Sequence, residues 1–242
     1  MKAPHASWRG GIIAAGLGER LKAGGLIGSK PMAMVGGRPL IDHAVDRFHA
    51  AGIMSVSVLI NAESPDAHAR LTARGDVDLV VKTTPSSYAS FALMAERLAG
   101  QRAVITTVDG IMPSADFAAF VKAAAAIPED AVGLGVTGHV DDDKPLWAEL
   151  APGGRIVRLG GEPAAHVTAG LYTLPARTPP LGGRSFERLR DYLGWLVAQG
   201  HPVYGLVLPQ VFDVDRPWDI AEAERALAAQ CKTKQPQIER AS

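Results

Sequence analysis

Short apolar segments alternate with segments of helical periodicity over the first half of the chain. Runs rich in Val and Ile predict β-strands at 11–15, 56–60, 79–81 and 103–108. Apolar positions spaced three to four residues apart predict helices at 40–51, 66–74 and 88–99. This alternation is typical of parallel strands joined by crossover helices, and the continuous apolar runs indicate strands that are covered on both faces.

The second half has a different pattern. A helix is expected at 114–126, with Ser114 as its N-cap and an end before Pro128. Four strands follow, at 131–136, 146–150, 156–159 and 167–174, with a hairpin turn at Pro152-Gly153-Gly154. A helix at 186–199, a strand at 203–208 and a helix at 218–229 complete the prediction. These strands indicate a mixed or antiparallel portion of the sheet, which we expect to form one side of a cleft.

Composition indicates one globular domain with a large core. The 242 residues are 47% hydrophobic and 21% charged, and we assign 1–230 to the domain and the polar, aperiodic 231–242 to a tail. The 25 basic and 25 acidic residues give no net charge, so neither nucleic acid nor a membrane surface is an expected partner. The single cysteine, Cys231, excludes an intrachain disulfide and a thiolate metal cluster. A cytoplasmic protein is expected, since there is no apolar run of membrane-spanning length and no signal-peptide pattern.

A glycine-rich segment after the first strand predicts a phosphate-binding turn. Bare backbone N–H groups in such a turn can approach an anion closely, and Arg20 and Lys30 add positive charge beside it. The later glycines Gly24, Gly25 and Gly28 indicate a long loop, of the kind that folds over a ligand. The predicted nucleotide-binding backbone is that of Ala15, Gly16, Leu17 and Gly18.

Two common glycine motifs do not fit this segment. The dinucleotide fingerprint requires a glycine where Leu21 stands, and the ATPase phosphate loop requires Lys directly after its last glycine, where Ser29 follows Gly28. Taken alone, the segment is equally compatible with an ordinary strand-to-helix loop that carries incidental basic residues.

Carboxylates follow two of the later strands. Asp109 comes directly after the run 103–108, at the strand end where open α/β sheets bind ligands, although an Asp-Gly pair there is also typical of a turn. Asp213 and Asp215 lie on the same side of an extended segment, so both can face a cleft. Asp219 is expected in the first turn of the last helix, where the helix dipole favours it. The run Asp141-Asp142-Asp143 is expected to be a solvated loop.

The spacing of these residues resembles a known family. Gly16-x-Gly18-x-Arg20, a loop, Lys30-Pro31 and a Gly37-x-Pro39-Leu40 turn before a helix resemble the amino-terminal signature of a nucleotidyltransferase family. That family includes sugar-1-phosphate nucleotidyltransferases and molybdenum-cofactor guanylyltransferases. The resemblance implies a single-domain, Rossmann-like, three-layer α/β/α fold of glycosyltransferase-A-like type, with a mostly parallel central sheet and a mixed or antiparallel second half.

The same resemblance implies a reaction and roles for four residues. A nucleoside triphosphate would transfer its nucleotidyl group to a small phosphorylated acceptor, most simply a sugar 1-phosphate, and release pyrophosphate. Asp109 and Asp215 match the family's metal ligands and would hold Mg²⁺, Arg20 would hold the departing pyrophosphate, and Lys30 would bridge the reacting phosphates. The alternatives are a molybdopterin or alcohol phosphate acceptor, and a nucleotide-binding regulatory domain without turnover.

The acceptor and base motifs depart from the family pattern. Gly161-Glu162-Pro163 stands where the family has Glu-Lys-Pro, and Thr168 replaces the Asn of its Asn-Ala-Gly-Ile-Tyr motif. Glu162, Thr168 and Gly170 are the predicted acceptor-binding residues, with Lys144 as a further source of charge. Ser86 and Ser87 are predicted to hydrogen-bond the nucleotide, or more simply to cap the helix that begins near Tyr88. Neither the base nor the oligomeric state follows from the sequence.

Overall fold

The computed structural model of the chain describes residues 8–140, 143–179, 181 and 186–233. The α-helices are α1 (Glu19–Ala23), α2 (Leu40–Ala50), α3 (Pro65–Arg74), α4 (Ser87–Leu98), α5 (Ser114–Ala124), α6 (Leu189–Ala198) and α7 (Pro217–Thr233). The strands are β1 (Arg9–Ala14), β2 (Met34–Val35), β3 (Arg38–Pro39), β4 (Ser55–Ile60), β5 (Asp78–Val81), β6 (Ala103–Thr107), β7 (Gly110–Ile111), β8 (Val132–Thr137), β9 (Trp147–Leu150), β10 (Ile156–Leu159), β11 (His166–Leu174), β12 (Val203–Leu208) and β13 (Phe212–Asp213).

One nine-stranded sheet organises the chain. Strands β5, β4, β1 and β6 lie side by side and are parallel, as crossover helices require. Strand β11 then runs antiparallel to β6, and beyond it β8 and β12 form a further parallel pair. Strands β9 and β10 form an antiparallel hairpin beside the start of β11. The sheet is therefore parallel in the first half of the chain and mixed in the second, as the sequence predicts.

Helices cover both faces of the sheet and give three layers. Buried side chains of α2, α3, α5 and α7 form one hydrophobic core with residues of β1 and β4, including Phe48 and Phe117, whose ring centroids lie 4.9 Å apart. Helices α4 and α6 bury a second core on the other face, around Phe91 and Tyr192. This α/β/α arrangement confirms the predicted fold class. Among the described residues, no helix is long and apolar enough to cross a membrane.

The predicted elements agree with the structure except at their ends and between the main strands. The hairpin at Gly153 and Gly154 is confirmed, since both glycines have positive φ between β9 and β10. The N-cap prediction is wrong: Pro113 occupies the cap position of α5 with an extended backbone, and Ser114 is the first helical residue. Helix α6 begins at Leu189 rather than at residue 186. Helix α7 continues to Thr233, and the rest of the predicted tail, 234–242, lies outside the described residues, as do Asp141 and Asp142.

Three short elements that the sequence did not predict surround the carboxyl ends of the parallel strands. They are the five-residue helix α1, a 3₁₀ turn at Lys30–Met32, and a ladder of two residues on each side between β7 and β13. The predicted long glycine loop is therefore limited to residues 24–29, because α1 takes up the residues before it.

Candidate active site

The carboxyl ends of β1 and β6 bring the glycine-rich segment and Asp109 to the same edge of the sheet. The two strands are parallel and in register, with Ile13 opposite Thr107, and the Val108 N–H donates to the Ile13 carbonyl at 3.1 Å. Asp109 follows at once, and the glycine-rich segment begins directly after Ala14. This is the edge at which open α/β sheets bind ligands.

Gly18 sets the path of the loop into α1. Its φ of +65° lies in the left-handed region, and a Cβ at this position would lie 2.6 Å from the Lys30 Cβ. Glycine therefore allows the turn to pack against the 3₁₀ turn at Lys30–Met32. Gly16, in contrast, has no atom within 4 Å of the position of a Cβ, so its backbone borders open space. Helix α1 then carries Arg20 in its first turn.

The 3₁₀ turn holds Lys30 in a buried position. Pro31 is suited to the start of the turn because its φ is already fixed. The Ser29 N–H donates to the Asp66 carboxylate at 2.8 Å, which ties the turn to the beginning of α3. The backbone of Lys30 is thus anchored on both sides, and only the end of its side chain reaches the cleft.

The ladder between β7 and β13 brings Asp215 to Asp109 from the far end of the chain. Phe212 pairs with Ile111, Asp213 pairs with Gly110, and the Val214 N–H donates to the Asp109 carbonyl at 3.1 Å. The Asp219 carboxylate accepts from the Asp215 N–H at 2.9 Å and from the Arg216 N–H at 2.7 Å. Asp219 therefore stabilises the turn into α7, in the first-turn position that the sequence predicts.

Four charged side chains meet between these elements. The Lys30 Nζ lies 2.6 Å from Oδ2 of Asp109 and also forms an ion pair with Oδ1 of Asp215. Oδ2 of Asp215 in turn lies 3.5 Å from Nη1 of Arg20. Exposure rises outward, from 8% for the Lys30 side chain to 58% for that of Arg20, so the group extends from the floor of the cleft to its rim.

The charges of this group stabilise one another. Burial by itself lowers the pKa of Lys30, but the negative charges of Asp109 and Asp215 outweigh it and hold the pKa above its ordinary value. Burial raises the pKa of Asp109, and the positive charge of Lys30 outweighs that effect and holds the pKa below its ordinary value. At neutral pH Lys30 is therefore a fixed cation and Asp109 a fixed anion.

Two adjoining cavities open from this group. One, of about 350 Å³, lies above the ends of β1, β4 and β6, and the other, of about 420 Å³, lies between the glycine turn, Arg20 and Asp215. They share Gly16, Leu17 and Lys30 as lining residues, so together they form one cleft. Of the predicted nucleotide-binding residues, Ala15, Gly16, Leu17, Gly18, Ser86 and Ser87 all line one cavity or both.

The two serines also have structural partners. Ser86 is the N-cap of α4, and its Oγ accepts from the Ala89 N–H at 3.1 Å. Ser87 Oγ accepts from the Leu189 N–H at 3.1 Å and so links α4 to α6. The capping interpretation is confirmed for Ser86, and nucleotide binding by either serine stays a prediction.

Polar residues that the sequence analysis did not single out line the 350 Å³ cavity of the cleft. Asn61 is buried at the end of β4; its amide donates to the Ala15 carbonyl at 3.2 Å and accepts from the Thr83 hydroxyl at 3.0 Å. Thr84 and Ser90 share a hydrogen bond beside it. A signal for Asn61 was present, because it directly follows an apolar strand at the same edge of the sheet as Asp109.

The predicted acceptor residues are distributed over the second half of the sheet. Thr168 lines a third cavity, of about 70 Å³, together with Arg190 and Asp213. Gly170 has a φ of +66° where the pairing of β11 with β8 shifts its register, so it bends the strand. Glu162 is exposed outside these three cavities, and its carbonyl accepts from Arg158 at 2.8 Å. Lys144 is also exposed, and its carbonyl accepts from Arg190.

Comparison with known proteins identifies the family and the fold of the chain. The family profile of the MobA-like NTP transferase domain matches residues 10–213. No curated protein sequence matches the chain significantly. Many solved structures share the fold, including the following two. The inositol-1-phosphate CTP transferase from T. maritima has a TM-score of 0.72 and 17% identity, with 92% of this chain and 96% of that chain covered.

The second structure is a putative glucose-1-phosphate thymidylyltransferase from Bacillus anthracis, in complex with a sucrose. It has a TM-score of 0.75 and 16% identity, with 90% of this chain and 94% of that chain covered. At 16% and 17% sequence identity, the two solved structures establish a shared fold. The match to the family profile covers the glycine turn, Lys30, Asp109 and the strands between them. The chain belongs to the MobA-like NTP transferase domain family and is a nucleotidyltransferase.

Proposed function

We propose that this enzyme transfers a nucleotidyl group from a nucleoside triphosphate to a sugar 1-phosphate and releases pyrophosphate, with Mg²⁺ as its cofactor. The observation that carries the proposal is the meeting of Arg20, Lys30, Asp109 and Asp215 at the junction of two cavities. Two cations and two carboxylates on a glycine turn are the groups that a triphosphate with a divalent metal requires.

The nucleoside would lie in the 350 Å³ cavity and the β- and γ-phosphates in the 420 Å³ cavity. The first has polar walls from Asn61, Thr83 and Ser86, whereas the second has the open backbone of Gly16 and the guanidinium of Arg20. Lys30 lines both cavities, so with the triphosphate bound in this way it would lie beside the bond that breaks, between the α- and β-phosphates.

The carboxylate pair fits a magnesium ion. Asp109 lies in the first half of the chain and Asp215 in the second, and an oxygen of each contacts the same cation, the ammonium of Lys30. Among the described residues there is no group of three or more His, Cys, Asp or Glu arranged for a metal, so a zinc site of protein ligands alone is not supported. Mg²⁺ commonly takes one or two carboxylates and completes its octahedron with water and phosphate oxygens.

The side chains of this enzyme orient and stabilise the reacting phosphates. A phosphate oxygen of the acceptor attacks the α-phosphorus, and the bond to the bridging oxygen of pyrophosphate breaks. Lys30 and Arg20 neutralise negative charge that accumulates on the transferred and departing phosphates. The bound metal would supply further positive charge and align the attacking and leaving oxygens. Since the acceptor phosphate is itself the nucleophile, no protein nucleophile is required.

A sugar or polyol phosphate is the proposed acceptor class. The two proteins compared above are named as transferases for inositol 1-phosphate and glucose 1-phosphate. The cavity that adjoins the carboxylates has hydroxyl and carboxylate groups from Thr168 and Asp213, which can hydrogen-bond a polyol.

A pyrophosphate-release assay tests the proposal. The enzyme is incubated with each nucleoside triphosphate, Mg²⁺ and a panel of glucose 1-phosphate, inositol 1-phosphate, glycerol phosphate and a pterin phosphate. We expect release that requires glucose 1-phosphate or inositol 1-phosphate and is abolished by Asp109→Ala. Release with alcohol phosphates or a pterin phosphate alone would overturn the acceptor class. Nucleotide binding without release across the panel would instead indicate a regulatory domain.

A further inference from the structure

The acceptor side of the cleft needs a positive charge that the family motif does not supply here. Asp109 and Asp215 lie in the charged group and Asp213 lines the neighbouring 70 Å³ cavity, and each of these carboxylates repels an approaching anion. Lys30 and Arg20 are already paired with carboxylates, and the proposed function assigns both cations to the triphosphate. The Gly161-Glu162-Pro163 segment contains no cation, and Glu162 is exposed outside the described cavities.

The 70 Å³ cavity borders the catalytic group through the short ladder. Asp213, which lines the cavity, pairs with Gly110, the residue that follows Asp109. A Cβ at Gly110 would lie 3.7 Å from Oδ1 of Asp213, which shows how close the cavity wall is to the Asp109 backbone. A group bound in this cavity is therefore next to the carboxylates.

Arg190 is the cation of this cavity. Of the described residues that line it, Arg190 alone is a Lys or Arg. One Nη of Arg190 donates to the Lys144 carbonyl at 2.9 Å, which fixes the guanidinium against the loop beside Pro145 and Leu146. Within the described part of the chain Arg190 forms no ion pair with a carboxylate, so its charge is not consumed by the fold.

The charges on both sides of the ladder act on one buried phenol. Burial and then the carboxylates of Asp213 and Asp109 raise the pKa of Tyr172, whereas Arg190 acts in the opposite direction. Tyr172 is thus within electrostatic range of all three charged groups, and Arg190 and Asp213 also line the same cavity. A guanidinium held in this way offers two parallel N–H donors to a phosphate, a geometry that Lys cannot provide.

We propose that Arg190 binds the phosphate group of the acceptor and thereby selects phosphorylated acceptors. The size of the cavity, about 70 Å³, suits one small anionic group and is too small for a nucleoside. The proposal rests on the proposed function, because it assigns a residue to the acceptor of that reaction. It places the missing positive charge on α6 rather than on the loop after β10.

The kinetic test separates acceptor binding from triphosphate binding. Arg190→Gln removes the charge but keeps an amide donor for the Lys144 carbonyl, so the loop contact can persist. With the acceptor that gives pyrophosphate, we expect the KM for acceptor to rise on the order of tenfold or more. The KM for the triphosphate should stay within about twofold, and Arg190→Lys should recover part of the loss.

Two matched variants test whether a neighbouring cation, rather than Arg190, binds the acceptor phosphate. Arg188→Gln removes an exposed arginine two residues away that does not line the cavity, and Lys144→Gln removes the rival cation of the adjoining loop. Both should leave the KM for acceptor within about twofold. A rise in Lys144→Gln rather than in Arg190→Gln, or an equal rise for both substrates, would overturn the proposal.

A binding measurement keeps the test independent of turnover. Calorimetric titration compares glucose 1-phosphate with glucose, and inositol 1-phosphate with inositol, on the wild type and on Arg190→Gln. We expect the wild type to prefer the phosphorylated ligand and the variant to lose that preference. If no acceptor releases pyrophosphate but this preference depends on Arg190, the reaction fails and the binding site stands. An unchanged preference in the variant, or none in the wild type, overturns the binding site.

Discussion

The triphosphate side and the acceptor side of the cleft hold their cations in different ways. Lys30 is buried on a 3₁₀ turn and fixed by two carboxylates, while Arg190 is half-buried at the start of a helix and contacts a backbone carbonyl. Every nucleoside triphosphate presents the same chain of phosphates, whereas acceptors differ in shape. A rigid ion network suits the common part of the reaction, and a single arginine held by one backbone contact suits the part that differs.

The largest loss of turnover should come from a substitution of Asp109, the residue that the two sides of the cleft share. Asp109→Asn keeps the shape of the side chain but removes the charge that fixes Lys30 and that would hold the metal. We expect kcat for pyrophosphate release to fall on the order of a thousandfold. Thr168→Ala, a matched change on the acceptor side, should leave kcat within about tenfold. Equal losses in the two variants would contradict the division of the cleft into two sides.

Removing a cation of the triphosphate side should have the next largest effect. Lys30→Met and Arg20→Gln should each lower kcat by on the order of a hundredfold. Only Lys30→Met should also lower the free energy of unfolding, by about 1–3 kcal/mol, because it leaves the Asp109 carboxylate without its cation, whereas Asp215 keeps Arg20. Arg20 is 58% exposed, so its loss should change stability by less than about 1 kcal/mol. Urea denaturation monitored by circular dichroism distinguishes the two variants.

Three glycines provide a smaller and more local comparison. Gly18→Ala and Gly170→Ala each place a side chain at positive φ and within 2.7 Å of a neighbour, on the triphosphate and acceptor sides respectively. Each should cost about 1–2 kcal/mol of stability. Gly16→Ala meets open space and should fold normally, yet its methyl group enters the cleft, so the KM for the triphosphate should rise. A normal KM in Gly16→Ala would place the triphosphate elsewhere.

The smallest expected effect is on the free energy of unfolding and comes from two tyrosine hydroxyls behind the acceptor side. The Tyr192 hydroxyl is buried and has no hydrogen-bond partner among the described residues, whereas the Tyr88 hydroxyl donates to the Leu181 carbonyl. Tyr192→Phe should therefore be neutral or stabilising by up to about 1 kcal/mol, and Tyr88→Phe should cost about 1 kcal/mol. Their rings lie 5.2 Å apart, so the pair compares two hydroxyls in nearly the same surroundings. A loss of stability in Tyr192→Phe would indicate a partner for its hydroxyl.

The parts of the site that local sequence encodes were predicted well. The end of β1, the glycine turn and Asp109 follow from an apolar run and the residues directly after it, because such runs place their last residues at one edge of the sheet. The positions of Arg20, Lys30 and Asp215 came from the family spacing, and the structure brings their side chains together with Asp109.

The parts that depend on distant contacts were not predicted. The β7–β13 ladder has two residues on each strand, too few for a periodic pattern, and its partners are far apart in sequence. The periodicity of α6 predicts which face of the helix is buried but says nothing about Arg190. This residue lines a cavity with β8, β11 and the loop before β9, and only the tertiary structure brings these elements together. The N-cap of α5 is Pro113, whose extended backbone suits the position. The prediction of Ser114 rested on the preference for hydroxyl side chains at N-caps and did not consider the backbone of the proline.

The β7–β13 ladder has a consequence for how the charged group stays assembled. Its two strands lie far apart in the sequence, so its pairing closes a long loop with only two residues on each side. Such a short ladder can open locally while the parallel strands remain paired. Opening would carry Asp215 away from Lys30 and Asp109, so this ion group is the part of the molecule that reports most directly on the integrity of the ladder.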